Sequence, residues 1–465
     1  MTRFYLFLLL LALCPMESAF SQDNEREDVE KVGDIFDFVL SQGSSYEWLR
    51  YLCKNVGHRI AGSPGGAAAV EYCKQMLDSI GCDKVWLQEV KVPYWRRGNV
   101  AECKIINSAV VGSTPLQVCA LGFSAPTPST GISAKVIEVN SISELEKMSD
   151  FKVKGKIVFL NKPMDPTKIS TFSAYGEAGA MRTMGPNIAA KKGALGAIVR
   201  SLTLKADDVP HSGVTIFDSG NEIPAVGIGI QSANNLSEIL AKDPNTKVFL
   251  QLDCKKYPDQ ITYNVIGEIK GSEFPNEIIA VGGHIDSWDL GEGAHDDGAG
   301  CVQSMEVLRT FKKMGYKPKR TIRCVLFANE ENGLRGGTKY ADEAKSKNEK
   351  HIAAIESDGG GHSPRGFSMD ANTDILSNAY KKTQKYREIL APYGFYELVT
   401  GGSGADIGPL KSQNVVLYGY RPDSQRYFDY HHTVNDTFEN VHKRELELGA
   451  AGISSLIYLI DKYGF

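Results

Sequence analysis

Residues 281–300 read Val-Gly-Gly-His-Ile-Asp-Ser-Trp-Asp-Leu-Gly-Glu-Gly-Ala-His-Asp-Asp-Gly-Ala-Gly. The apolar run 278–281, Ile-Ile-Ala-Val, leads straight into it and is bounded by glycines, the pattern of a buried strand. His284 and Asp286 stand where that strand ends, the edge of an open α/β sheet at which ligands bind. Asp296 and Asp297 follow a glycine-rich loop and come just before Gly298, where a helical pattern begins. A histidine among carboxylates, with no cysteine beside it, suits zinc or a similar divalent ion. The same residues also suit a solvated loop, and the choice between the two rests on what recurs further along.

It recurs at three more strand ends. Strand-like runs fall at 261–268, 277–283, 320–328, 351–357 and 414–420, alternating with helical patterns at 298–314, 333–346, 373–391 and 443–462. Nearly all-apolar strands between helices predict a mainly parallel sheet covered on both faces. The run 320–328 ends in Asn329-Glu330-Glu331, the run 351–357 in Glu356-Ser357-Asp358, and Asp429-Tyr430-His431-His432-Thr433 follows 414–420. In a parallel sheet such ends converge on one edge. Neighbours on an extended chain point in opposite directions, so Glu330 and Glu331 are placed for different tasks. One can hold a metal while the other takes a proton from water, the pairing a hydrolase needs. An acidic pair at a helix start is by itself an ordinary favourable turn, and its setting beside the His284 strand is what weighs against that reading. In 443–462 the stripe Leu446, Ala450, Ile453, Ile457 and Ile460 reads as core packing.

At these residues the chain resembles the M28 family of co-catalytic zinc exopeptidases. The likeness covers most of the chain and includes Gly57-His58-Arg59-Ile60-Ala61-Gly62-Ser63 near its start. It implies two zinc ions, with Asp296 bridging them, His284 and Asp358 on one, and Glu331 and His432 on the other. It implies Glu330 as general base, Asp286 as the acid that orients His284, and His431 as a group assisting charge on the reacting carbonyl. The implied fold is α/β, with a mixed, mostly parallel central sheet of about eight strands flanked by helices and an inserted β-rich protease-associated domain. The implied activity is hydrolysis of dipeptides or short peptides with free termini, in a homodimer. The rival readings are a broader aminopeptidase acting on longer peptides, a one-zinc glutaminyl cyclase relative, and a non-catalytic secreted binding protein on the same fold. The complete ligand set and the intact Glu330 speak against the last.

The 465 residues divide accordingly. Residues 1–21 read as a secretory signal, with Arg3, an apolar core from Leu6 to Leu13, and small Ala19 and Ser21 before Gln22. That core is too short to span a bilayer, so a secreted or lysosomal protein without a membrane partner is expected. Residues 22–44 read as a pro-segment or flexible lead-in. The first part of the catalytic domain covers 45–112, with a helix, a loop and a second helix that Ser63 caps and Pro64 opens, then a strand over 84–98. The insert covers 113–257, with short strands and one helix near 184–194. The second part of the catalytic domain covers 258–465. Within it Gly401-Gly402-Ser403-Gly404-Ala405-Asp406 reads either as a plain turn or as a loop whose glycines let backbone approach a substrate, with Ser403 or Asp406 at a peptide terminus. Asn235-Leu-Ser matches the glycosylation pattern, and His295, directly before Asp296, reads as a surface residue or as one that perturbs the site. Eight cysteines follow the signal, in a compartment that permits disulfides. A net charge of −4 gives no electrostatic footprint for nucleic acid.

Overall fold

The computed structural model describes residues 16–465. The positive end and apolar core of the expected signal lie outside the described residues. An eight-stranded mixed sheet carries the strand ends singled out above. From one edge its order is Lys84–Arg96, Lys255–Ile269, Arg320–Phe327, Phe274–His284, Lys350–Glu356, Val416–Pro422, Pro364–Asp370, Glu397–Thr400. The four central strands, from Arg320–Phe327 to Val416–Pro422, are mutually parallel, and antiparallel neighbours flank them on both sides. The parallel strands are buried on both faces, which is why their sequences run apolar without alternation. Two strands escaped the sequence reading. Pro364–Asp370 opens on Pro364 and Gly366, which look like turn punctuation but sit at a register shift, and Glu397–Thr400 is four residues long and half exposed.

The helices Ala299–Lys313, Arg335–Ser346, Thr373–Leu390 and Lys443–Tyr463 fall where the periodicity predicts them. The last is buried almost all round from Gly449 to Asp461. Its Ser454 and Ser455 hydroxyls donate to the carbonyls of Ala450 and Ala451, both at 2.8 Å, so these buried polar groups are satisfied. At the other end of the chain, Ser63 caps the helix Pro64–Ile80 by accepting from the Gly66 N–H at 3.0 Å.

The lead-in expected over 22–44 is ordered instead. It belongs to the helix Met16–Gln42, whose Val32, Ile35, Phe36 and Val39 are buried in the same core as the central sheet. Their i, i+3, i+4, i+7 spacing is an amphipathic stripe that the surrounding acidic residues disguise.

A second eight-stranded sheet spans Ala101–Ser108 to Lys247–Leu252. It too is mixed, with Ile132–Val139, Ile157–Leu160, Gly196–Arg200 and Ala225–Ile228 parallel at its centre. Strand membership therefore changes sheet after Arg96 and again at Lys255, not at 113 and 257. The Asp253 carboxylate fixes the crossing by accepting the N–H groups of Asn99 at 3.1 Å and Val100 at 2.7 Å. The single helix expected here is one of several: Thr171–Thr183 packs on Gly185–Lys191, which together with Ile230–Lys242 packs on this sheet. In the last of these Ala233, Leu236, Ile239 and Leu240 face inward and Asn235 is exposed. Among the described residues the eight cysteines are free thiols, seven of them buried, and no helix is long and apolar enough to cross a membrane.

Phe36 is 1% exposed and stacks on Tyr393 with ring centroids 3.9 Å apart. Phe36→Ala should lower stability by about 3–5 kcal/mol in urea unfolding; a loss below about 1 kcal/mol would mean the first helix is not part of the core.

Candidate metal centre

Each of the four parallel strands delivers part of one cluster. His284 ends Phe274–His284, Glu330 and Glu331 follow Arg320–Phe327, Asp358 follows Lys350–Glu356, and His432 lies beyond Val416–Pro422. Asp296 comes from the turn before the helix Ala299–Lys313 and occupies the middle. Its Oδ1 lies 3.1 Å from His284 Nε2, and its Oδ2 lies 3.2 Å from His432 Nε2. Asp358 Oδ1 is 3.4 Å from His284 Nε2, and Glu331 Oε2 is 3.0 Å from His432 Nε2. All five residues expected as ligands are thus brought together around one carboxylate.

Three atoms at this point, His284 Nε2, Asp296 Oδ2 and Asp358 Oδ1, are buried and have no hydrogen-bond partner. Leaving such atoms bare costs free energy unless something binds them. Two groups of donors close enough to hold an ion, His284–Asp296–Asp358 and Asp296–His431–His432, share Asp296. The second contains His431 in place of Glu331, although Glu331 Oε2 itself lies 3.0 Å from His432 Nε2. Electrostatics agree with a cation. Burial opposes charge on both histidines, yet Asp358 and Asp296 raise His284 well above its ordinary range, and Glu331 with Asp296 raises His432 to about 10. Glu330 is only partly exposed, and desolvation pushes its carboxyl well above the usual range. The pull of His284 is not enough to offset this, and Asp358 and Glu331 add repulsion.

The supports differ from expectation in three places. His284 Nδ1 meets the main-chain oxygen of Asp286 at 3.0 Å, while the Asp286 carboxylate is 4.0 Å away. That carboxylate instead accepts the Glu330 N–H at 3.0 Å, so Asp286 orients His284 through its backbone and positions Glu330 through its side chain. Second, the glycine-rich loop wraps an internal carboxylate. Glu356 accepts the Ala405 and Ile407 N–H groups at 2.9 and 2.8 Å, and a Cβ on Gly404, at φ +140°, would lie 2.3 Å from its carboxyl carbon. Asp406 is buried beside it, and burial together with Glu356 holds its carboxyl well above the usual range. Ser403 lines a neighbouring cavity of about 530 Å³ together with Asp358. Neither Ser403 nor Asp406 faces the main cavity described below. Third, His295 is fully buried. Its ring stacks on His362, its Nδ1 accepts the Gly361 N–H and its Nε2 meets the Asn440 carbonyl. Burial and His362 hold it neutral, down to about 3.

Other supporting residues had no role assigned from sequence. Asp297 accepts the His284 and Gly300 N–H groups at 3.0 and 2.9 Å, and Asp436 accepts those of His295 and Asp296 at 2.7 and 3.2 Å. Arg59 is fully buried and donates to the Ile285, Glu292 and Gly293 carbonyls, fixing the loop between His284 and Asp296. The Gly57–Ser63 motif held the only available signal for Arg59. A cavity of about 630 Å³ opens over the cluster. Asp296, Glu330, Glu331, Asp358, His431 and His432 form one wall, and Phe123, Phe172, Tyr175, Arg182 and Ile216 from the second sheet's layer form the other. His431 stacks on His432 with centroids 3.5 Å apart, places Nε2 3.7 Å from Asp296 Oδ2, and leaves Nδ1 without a partner.

A mixed sheet with histidines and acids converging on Asp296 is the frame of a metallohydrolase, and comparison with known proteins places it further. Residues 264–457 match peptidase family M28. Carboxypeptidase Q of Bos taurus is 31% identical over 94% of this chain and 90% of its own length. The crystal structure of a peptidase M28 precursor from Shewanella amazonensis superposes with a TM-score of 0.88 at 31% identity, covering 95% of this chain and 98% of that one. A zinc aminopeptidase from Bacillus subtilis shares the fold at 21% identity and a TM-score of 0.62, covering 89% and 94%. The chain belongs to peptidase family M28 and is a zinc metallopeptidase similar to carboxypeptidase Q.

Asp436→Ala would strip the acceptor from two buried N–H groups, one of them on Asp296. Zinc affinity in chelator competition should fall about 10–100-fold; an unchanged affinity would mean that the Asp436 contacts do not hold Asp296 in place.

Proposed function

We propose that this chain is a two-zinc exopeptidase that hydrolyses dipeptides or short peptides with free termini. The observation that carries the ion count is Asp296, whose two carboxylate oxygens face separate donor groups. His284 and Asp358 would hold one zinc and Glu331 and His432 the other, with Asp296 common to both. Zinc bound here would supply a Lewis acid and bring water near its ionisation point at neutral pH.

The remaining chemistry belongs to the side chains. Glu330, held by the Asp286 contact to its N–H, takes the proton of the attacking water and delivers it to the leaving amine. His431, neutral and buried at the cavity wall, offers an imidazole N–H to the oxygen on which charge develops. A cavity of about 630 Å³ is in the range for a small ligand, and the facing aromatic wall supports a short substrate over a long chain. The relatives' names point to opposite ends of a peptide, one a carboxypeptidase and one an aminopeptidase. A dipeptide satisfies both, because its single peptide bond adjoins both ends. The same reading takes the second sheet's layer as a protease-associated insert that roofs the cavity, the segment 1–21 as a secretory signal, and the exposed Asn235 as a glycosylation site.

Glu330→Gln should retain zinc and lose kcat by about 10²–10⁴-fold on an unblocked dipeptide. Turnover close to that of the wild type would remove Glu330 from the proton path.

A further inference from the structure

Besides the histidines, three cationic side chains line the main cavity: Arg182, Lys256 and Arg335. Two of them are paired, Lys256 with Glu222 at 3.4 Å and Arg335 with Asp259 at 3.5 Å. Arg182 is only 5% exposed, and the groups it donates to are neutral. Its Nη1 reaches the Ser212 carbonyl at 3.4 Å and its Nη2 the Tyr175 hydroxyl at 2.5 Å, while Nε has no partner. A buried guanidinium with unused donors and, among the described residues, no carboxylate in ion-pair contact is costly, and here it borders a cavity. The local chain is shaped to admit it. Arg182 lies in the last turn of Thr171–Thr183, and Gly213, at φ +131°, faces its guanidinium; a Cβ there would come 2.4 Å from Arg182 Cζ. The metal centre is close by through a short series of contacts. The guanidinium lies 5.4 Å from the Tyr175 ring centroid, Tyr175 meets His431 edge-on at 5.2 Å, and His431 reaches Asp296 at 3.7 Å.

We propose that Arg182 is the carboxylate-binding residue of this cavity and takes the free α-carboxylate at the C-terminus of a dipeptide or short peptide. The inference rests on the peptidase reading above and names the group that selects the substrate's end. Nη1 and Nη2 each donate once to neutral groups and each keep a second N–H, and such a planar pair matches a carboxylate in a two-point contact. The carboxylate supplies the missing counter-charge, and the ring of Tyr175 fixes the guanidinium plane. Arg182 comes from the second sheet's layer, so that layer contributes to specificity as well as covering the site.

The test compares an unblocked dipeptide with its C-terminal amide on the zinc-loaded protein. The wild type should favour the free acid by about 10–100-fold in kcat/KM. Arg182→Met should remove that preference by slowing the acid alone, and Arg182→Lys, which keeps one charged donor, should retain part of it. A purely structural role would lower both substrates together and leave their ratio intact, which would overturn the proposal, as would equal rates in the wild type. Calorimetric binding of the same two ligands to zinc-loaded Glu330→Gln, with and without Arg182→Met, separates the two claims. Discrimination that depends on Arg182 without turnover in the wild type sinks the peptidase reading and keeps the carboxylate site. Turnover without discrimination keeps the peptidase and sinks the site.

Discussion

The crowding of negative charge around Asp296 is the constraint on which the rest of this structure depends. Asp296, Glu331 and Asp358 point their carboxylates at two histidines inside a largely buried pocket, with Glu330 alongside. Desolvated carboxylates at such distances repel strongly. The same carboxylates raise the proton affinity of His284 and His432 against the cost of burial. Divalent cations relieve the same charge while also meeting the bare donor atoms, so the site's electrostatics and its chemistry ask for the same thing.

Holding those groups in place occupies much of the surrounding backbone. Asp297 ties the end of the His284 strand to the helix that follows it, Asp436 holds the peptide N–H of Asp296, and Asp286 holds that of Glu330. Arg59 reaches in from the start of the chain to fix the intervening loop. Carboxylates accepting backbone N–H groups fix positions that loops alone would leave free. The second sheet closes the arrangement from the other side, and the Ser212 N–H donates to the His432 carbonyl at 2.9 Å. The cavity wall formed by Tyr175 and Arg182 is thereby linked to the loop that carries His432.

Much of this was legible in the chain. Apolar strands ending in His284, Glu330, Asp358 and the His431-His432 pair announce a parallel sheet with an edge site, because strand period and strand-end placement are local properties. The supports were not legible for the complementary reason. Whether Asp286 meets His284 by its side chain or its carbonyl depends on a turn of a few degrees, which no spacing encodes. Among the glycines of 401–406 only Gly404 packs closely, and only the fold reveals that the group it meets is Glu356. The stripe of the first helix and the strand Pro364–Asp370 were hidden by acidic neighbours in one case and by Pro364 and Gly366 in the other. Arg182 carries no motif at all; its neutral surroundings of Tyr175, Ser212 and Gly213 exist only in the folded chain.

The most direct test of the account is the zinc stoichiometry of the purified chain, measured by native mass spectrometry on the wild type and on Asp296→Ala. The shared carboxylate requires two zinc ions per chain in the wild type and the loss of both sites' tight binding in the variant. One zinc in the wild type, or two retained after Asp296 is removed, would contradict it.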